Sequence, residues 1–335
     1  MDRSGPPDTN RQLDILSQDG PRDDVAIDSL SDLEEEVLEY AARARAKNTV
    51  RAYRADWEHF VAWCQQQRRS SLPAEPSTVA LYLAAFAQRR RITTLARRLV
   101  TLTEIHRARS YDPPTRHIAV RSVWEGIKRT HGVAARAKRP TLIQDIRDMV
   151  AVLGNTPLGQ RDKALLLVGF AGALRRSELV GLDVGHIQMT AQGMVLTVPF
   201  SKTDQEGRGR QVGIPFGNNL ETCPVNAVSE WLKTGGITDG PVFRAVRANG
   251  SIARTRLVDR TVARVVKRTL LRLGRDPSNY AGHSLRAGLA TQAAISGVSE
   301  RVIQQQTGHR SLLILRRYIR SGELFRDNAA GKIGL

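Results

Sequence analysis

The sequence predicts a mainly α protein with a small β-sheet, divided into two domains. Three observations support this. A length of 335 residues exceeds the usual size of one domain. Apolar residues recur at three- and four-residue steps along most of the chain. Only two short segments, both in the second half, alternate or cluster as strands do.

Taken in order, residues 1–30 lack either periodicity and are rich in Asp, Pro, Gly and Ser, which predicts a flexible acidic arm. Helical patterning begins near Leu33. In "NTVRAYRADWEHFVAWCQQQ", Asn48 is a plausible N-cap, and Val50, Tyr53, Trp57, Phe60, Val61 and Cys64 form one apolar stripe. "PSTVALYLAAFAQRR", "TTLARRLVTLTEIHRAR" and "PTRHIAVRSVWEGIKRT" predict three further helices, separated by Pro, Ser and Thr signals. A helical domain over residues 31–130 is thus expected. The basic stretch "HGVAARAKRP", residues 131–140, is broken by Gly132 and Pro140 and reads as a linker.

The second domain, residues 141–335, reads as mixed. "TLIQDIRDMVAVL" and "QRDKALLLVGFAGA" are helical patterns; "GMVLTVPF" and "RQVGIPF" are short strands, with "SKTDQEGRG" as the turn of their hairpin. Further helical patterns follow "TCPVNAVSEWLK" and run to the tail "SGELFRDNAAGKIGL".

Bulk composition narrows the class. No apolar run approaches the ~20 residues of a membrane span, and the first twenty residues contain no signal-peptide core. Two distant cysteines, Cys64 and Cys223, read as free thiols of a reducing compartment. The net charge of +18 is uneven: residues 1–30 carry seven Asp and three Arg, a net of −4, leaving +22 on residues 31–335. Between Arg89 and Arg139, fourteen Lys or Arg face three acids. Such a surplus repels itself unless a polyanion neutralises it, and nucleic acid is the usual polyanion.

Five places in the second domain hold residues suited to anion or acid–base chemistry. Each also has an ordinary reading. Arg175 and Arg176 follow an apolar helix, with Glu178 three residues beyond Arg175; helix-end charge would explain them. Lys202 lies at the mouth of the hairpin, where lysines are usually solvated. His283 and Arg286 share a helical face by their spacing, as a surface pair would. His309 follows Gly308 at a turn, where a capping histidine is common. Tyr318 sits in "LLILRRYI" beside Leu315 and Ile319, as a core tyrosine would. It is favoured over Tyr280 because it trails His309 by nine residues and stands among Arg316, Arg317 and Arg320.

Singly these signals are weak; their order and types together are specific. "ALRRSEL", Lys202 on a hairpin, "HSLRAG" and "TGHRSLLILRRYIR" resemble the tyrosine recombinase, or phage integrase, family. The resemblance covers nearly everything after the arm. It implies a helical, SAM-like core-binding domain followed by a mixed α/β catalytic domain of the simple Cre- or Xer-like two-domain type. His309 matches most bacterial and phage members, while "YIR" resembles the Cre-like branch. Aligned on "SEL", the motif selects Arg175 over Arg176.

The implied activity is site-specific DNA recombination through a 3′-phosphotyrosyl intermediate, by a tetramer on two duplex sites, in a cytoplasmic bacterial or phage setting. Arg175 and Arg286 would hold the scissile phosphate, since a guanidinium fork engages two oxygens and keeps its charge. His309, and His283 in part, would add hydrogen bonds. Tyr318 would be the nucleophile, with His283 as its base, because a phenol of pKa ~10 is protonated at neutral pH. Lys202 would protonate the departing 5′-oxygen, and Glu178 would orient the cations. No metal cofactor and no ATP are expected: no carboxylate cluster suits a two-metal site and no Gly-x-x-x-x-Gly-Lys-Ser/Thr pattern occurs. Leu324, Phe325 and Ile333 are apolar residues left for an interprotomer helix. A type IB topoisomerase and a non-catalytic DNA-binding regulator on the same fold are the alternatives.

Overall fold

The computed structural model describes residues 47–132, 138–199, 209–322 and residue 333. The acidic arm, Lys202, Leu324 and Phe325 lie outside the described residues. The chain divides into two compact units, residues 1–134 and 135–335.

The first unit contains four described helices: α1 (Lys47–Gln66), α2 (Pro76–Phe86), α3 (Ile92–Ala108) and α4 (Ile118–His131). Helix α1 already includes Lys47, so Asn48 lies within the helix and is not its cap. Its stripe is narrower than the periodicity suggests: Phe60 and Cys64 are fully buried, Val50 is exposed, and the other stripe residues are half-buried. Pro76 starts α2, where its missing N–H costs nothing. The core gathers Phe60, Val79, Tyr82, Leu83, Leu95 and Leu102, with Phe60 and Tyr82 edge to face at 5.0 Å. Buried Asp56 accepts a two-pronged bond from Arg97 at 2.7 and 3.0 Å, joining α1 to α3. The stretch expected to form one helix from Pro114 splits into a 3-10 turn, Pro114–Arg116, and α4, because His117 adopts extended backbone between them.

In the second unit α5 (Ile143–Ala151) leads to α6 (Pro157–Ala171), whose residues 164–170 are all buried. From Ala164 onward helix α6 is apolar all round, as suits a segment on which α8 (Pro224–Gly235), α5 and α10 (Ser284–Ile295) pack. After the short α7 (Arg176–Gly181) comes an antiparallel sheet of β1 (Ile187–Thr190), β2 (Gly193–Val198) and β3 (Arg210–Pro215), in that spatial order. Leu196 faces Val212 and Met194 faces Ile214 across the β2–β3 hairpin, so one face enters the core. The expected antiparallel pairing of β2 with β3 is present, while residues 201–208 of the expected turn lie outside the described residues; β1 and a second ribbon, β4 (Arg244–Val246) with β5 (Ile252–Arg256), were not anticipated. Helices α9 (Arg260–Arg272), α11 (Glu300–Thr307) and α12 (Leu312–Gly322) complete the described α-helices.

The segment entering this unit is fastened to α10 and the loop before it. Lys138 Nζ donates to the Ser278 carbonyl, and the Arg139 amide donates to Asn279 at 2.8 Å. The Thr141 amide and hydroxyl both donate to the Ser284 carbonyl, at 3.1 and 3.0 Å. The Ile143 amide donates to Gln292 Oε1 at 3.2 Å. Gly288 permits this approach: a Cβ there would sit 1.9 Å from the Thr141 carbonyl oxygen.

Candidate active site

Four local structures bring the candidate residues together. The chain leaves α6 through Ala173, whose φ of 47° lies in the left-handed region that favours glycine. Arg175 then caps α7. Its amide donates to Glu178 Oε2 at 2.9 Å, the N3 half of a capping box, and its Nη1 donates to Oε1 at 2.5 Å. Arg176 instead pairs with Asp259 at 3.7 Å and is nearly half exposed. Burial of Glu178 pushes its carboxyl upward. The Arg175 bonds and the Arg210 and Arg175 charges outweigh this and hold it below the usual carboxylate range.

His283 is the residue from which α10 starts, and Arg286 lies in its first turn. Arg286 is 1% exposed. Its Nη1 donates to the Ala173 carbonyl at 2.8 Å, while Nη2 is buried without a partner among the described residues. Burial, then the neighbouring Arg175 charge, pushes this guanidinium down to about 10. A buried, unsatisfied charged donor is costly, and such groups call for a ligand or a role.

His309 follows the α11 cap, Gly308, which has φ 62°. The Thr307 hydroxyl donates to the Ile303 carbonyl at 2.7 Å, so the 2.7 Å contact between His309 Nδ1 and Thr307 Oγ1 must be donated by the ring. The neutral ring therefore keeps its proton on Nδ1 and presents a bare Nε2. Burial, then the charges of Arg286 and Arg175, pushes His309 down to about 3.

Helix α12 buries Leu315 and Ile319 against Ala290, Ala294 and Ile303. Tyr318, one position before Ile319, is half-buried and reaches His283, with its hydroxyl 2.7 Å from Nε2. Its ring centroid is 6.0 Å from that of His283 and 5.9 Å from that of His309. Burial raises the phenol above its ordinary range, although Arg286 and Arg317 pull it down. His283 is shifted downward, by burial first and then by Arg286 and the other arginines, which favours its neutral form. Of the three arginines flanking Tyr318 in sequence, Arg316 is spent on Glu300 at 3.1–3.2 Å. Tyr280 belongs to the large apolar core instead.

Arg175, Glu178, His283, Arg286, His309 and Tyr318 thus form one cluster: guanidiniums, neutral imidazoles and a phenol, with one carboxylate bound to Arg175. Such a cluster can receive an anionic group against a nucleophile. Sequence reasoning missed one member, Arg210, the first residue of β3, which donates to Glu178 Oε2 at 3.2 Å. Among the described residues no group of three His, Cys, Asp or Glu could hold a metal ion, and no helix is long and apolar enough to cross a membrane.

Residues 142–323 match the model of the phage integrase family, and residues 38–109 match that of its N-terminal SAM-like domain. The chain is 37% identical over 295 residues to an integrase/recombinase XerD homolog of Selenomonas ruminantium, covering 87% of this chain and 86% of that protein. It is 28% identical over 282 residues to the Cre recombinase of Escherichia phage P1, covering 78% and 80%. Among solved structures, the Tn1549 transposon integrase in complex with transposon right-end DNA aligns with a TM-score of 0.60 at 14% identity, over 87% of this chain and 97% of that one. XerH recombinase bound to a palindromic difH substrate aligns at 0.58 and 15%, over 77% and 72%. The latter two share the fold. The family matches and the relative at 37% identity settle the class: this chain belongs to the phage integrase family and is a tyrosine-type site-specific recombinase.

Proposed function

We propose that this recombinase cleaves and rejoins duplex DNA through Tyr318, with the cluster around it as the phosphate site. The observation that carries the reading is the 2.7 Å contact of Tyr318 with His283, beside a buried Arg286 whose Nη2 lacks a partner among the described residues. Arg175 and Arg286 stabilise the charge that grows on the non-bridging oxygens. His283 takes the phenolic proton as the Tyr318 oxygen bonds to phosphorus. The bond from phosphorus to the 5′-oxygen breaks, and Lys202 supplies the proton that this oxygen needs. A 3′-phosphotyrosyl ester remains, and attack by a free 5′-hydroxyl reverses the sequence. His309, protonated at Nε2 once phosphate is bound, donates a further hydrogen bond. Glu178 orients Arg175. XerH and the Tn1549 integrase, whose fold the chain shares, are described in complex with DNA, and +22 of net charge beyond the arm supports the same partner.

We assign residues 31–130 to core binding, 131–140 to the linker and 141–335 to catalysis. Assembly is proposed as a tetramer on two duplexes. A cavity of about 430 Å³, lined by Ile146, Leu167, Phe170, Ile214 and Val302 among others, is apolar and unfilled by the described chain. Leu324, Phe325 and Ile333 of a second copy have the matching chemistry for it.

The test begins by incubating the protein with a library of random-sequence nicked duplexes and sequencing the strand trapped on it. On a nicked duplex built from that sequence, the wild type should accumulate covalent adduct on a denaturing gel. Tyr318→Phe should abolish the adduct while keeping affinity, and Tyr280→Phe should keep both. Adduct from Tyr318→Phe would refute the nucleophile. A wild type that forms none on any duplex would favour a DNA-binding regulator.

A further inference from the structure

Arg210 stands outside the candidate set, yet it joins three parts of the site. Its Nη2 donates to Glu178 Oε2 at 3.2 Å, and its Nη1 donates to the Gln306 carbonyl at 3.1 Å. Its Nε is buried with no partner among the described residues. Gly308 lies against the guanidinium so closely that a Cβ there would meet Nε at 3.1 Å. The side chain is only 20% exposed, and Glu178 is wholly buried at its carboxylate end. Gln306 itself is pinned, its Nε2 donating to the Ala171 carbonyl at 2.9 Å. Arg210 also opens β3, so it is the point at which the chain carrying Lys202 returns to the sheet.

Glu178 receives two bonds from Arg175 and one from Arg210. If Arg175 were its sole cation, the carboxylate would cancel most of the charge that Arg175 offers to an incoming phosphate. A second guanidinium on the same carboxylate leaves net positive charge facing the site. The Gln306 bond meanwhile fixes the end of α11, three residues before His309.

We propose that Arg210 is a positioning residue for strand cleavage: by sharing Glu178 with Arg175 and holding the Gln306–His309 turn, it keeps the phosphate-binding charge available and in place. This rests on the phosphate site proposed above. An ordinary structural ion pair would give the same contacts, so the test must separate a lost charge effect from a damaged fold.

Single-turnover cleavage and site affinity would be measured for wild type, Arg210→Met and Arg210→Lys on the nicked duplex recovered from wild-type adduct. Each would be assayed with an ordinary scissile phosphate and with an uncharged methylphosphonate in its place. Arg210→Met should slow cleavage of the phosphate about 10²-fold, the scale of one preorganised donor, with affinity changed less than about threefold, since most phosphate contacts lie elsewhere. On the methylphosphonate its deficit should shrink to a few-fold, because the charge that Arg175 must balance is gone. Arg210→Lys keeps the charge but cannot span both acceptors, so it should fall between Met and wild type. Equal deficits on both substrates would overturn the proposal in favour of a structural role, as would a wild-type rate for Arg210→Met. If Met proves misfolded by thermal melting, the Lys variant decides by the same comparison of substrates. Wild type without adduct on any duplex would overturn the underlying site reading, whereas adduct from wild type with no effect of Arg210 substitution overturns this proposal alone.

Discussion

His309 enters the site with its proton on the wrong nitrogen to donate to a ligand. Thr307 holds Nδ1–H, and burial with the charges of Arg286, Arg175, His283 and Arg210 keeps the ring neutral, at about 3. A phosphate placed among those arginines offsets their repulsion and raises the pKa. Between the free and bound values the complex then holds more protons than the free protein, so binding takes up protons and tightens as pH falls. Calorimetry at pH 6 in two buffers of different ionisation enthalpy should show that uptake. The comparison is Tyr318→Phe protein with and without His309→Gln; equal uptake by both would show that His309 stays neutral. At this scale much was legible in the sequence. Arg175, Glu178, His283, Arg286, His309 and Tyr318 sit in short contiguous motifs that are weak singly but whose order and types together singled them out, and the structure brings them into one cluster. Arg210 was not legible, because "EGRGRQ" offers two arginines with nothing to distinguish them, and its partner Glu178 lies 32 positions earlier. Whether an ion pair is buried depends on tertiary packing that a strand pattern does not encode.

Helix α10 shows how an element can be specified by what it lacks. Its buried set includes Ser284, Arg286, Gly288 and Thr291, a composition that propensity alone would place on a surface. Gly288 is required by the Thr141 carbonyl against it. Gly288→Ala should therefore destabilise the protein by ~2–3 kcal/mol, as overpacking against backbone does. Gly126, in α4, has open space around its missing Cβ, and Gly126→Ala should instead stabilise by ~1 kcal/mol, the ordinary helix gain. Denaturant unfolding of both variants checks the contrast, and matching signs would refute it. The sequence reading found α6 and the β2–β3 hairpin because their apolar patterns are strong. It missed β1, with a burial pattern of one half-buried and three exposed residues, and the β4–β5 ribbon, whose residues are at most half-buried. Strands of this kind are held by pairing and carry no alternation that a sequence can display.

For the whole molecule, the tail and the cavity make one prediction together. A chain lacking residues 322–335 should bind a single half-site with unchanged affinity but yield fewer synaptic complexes by native gel, because the apolar cavity stays unfilled. An unchanged yield of recombinant product would refute docking by the tail. The division into two units was legible from the basic, Gly- and Pro-broken stretch at 131–140. The way its far end is tied down was not, since those bonds pair residues up to 149 positions apart. That tie has a mechanical consequence. From Lys138 to Ile143 the chain is bonded to Ser278, Asn279, Ser284 and Gln292, bracketing His283 and Arg286. A load applied to the chain at residue 138 therefore meets no slack before α10. Residues 138–143 and the first turn of α10 thus form one stiff piece within the second unit, and that turn carries Arg286.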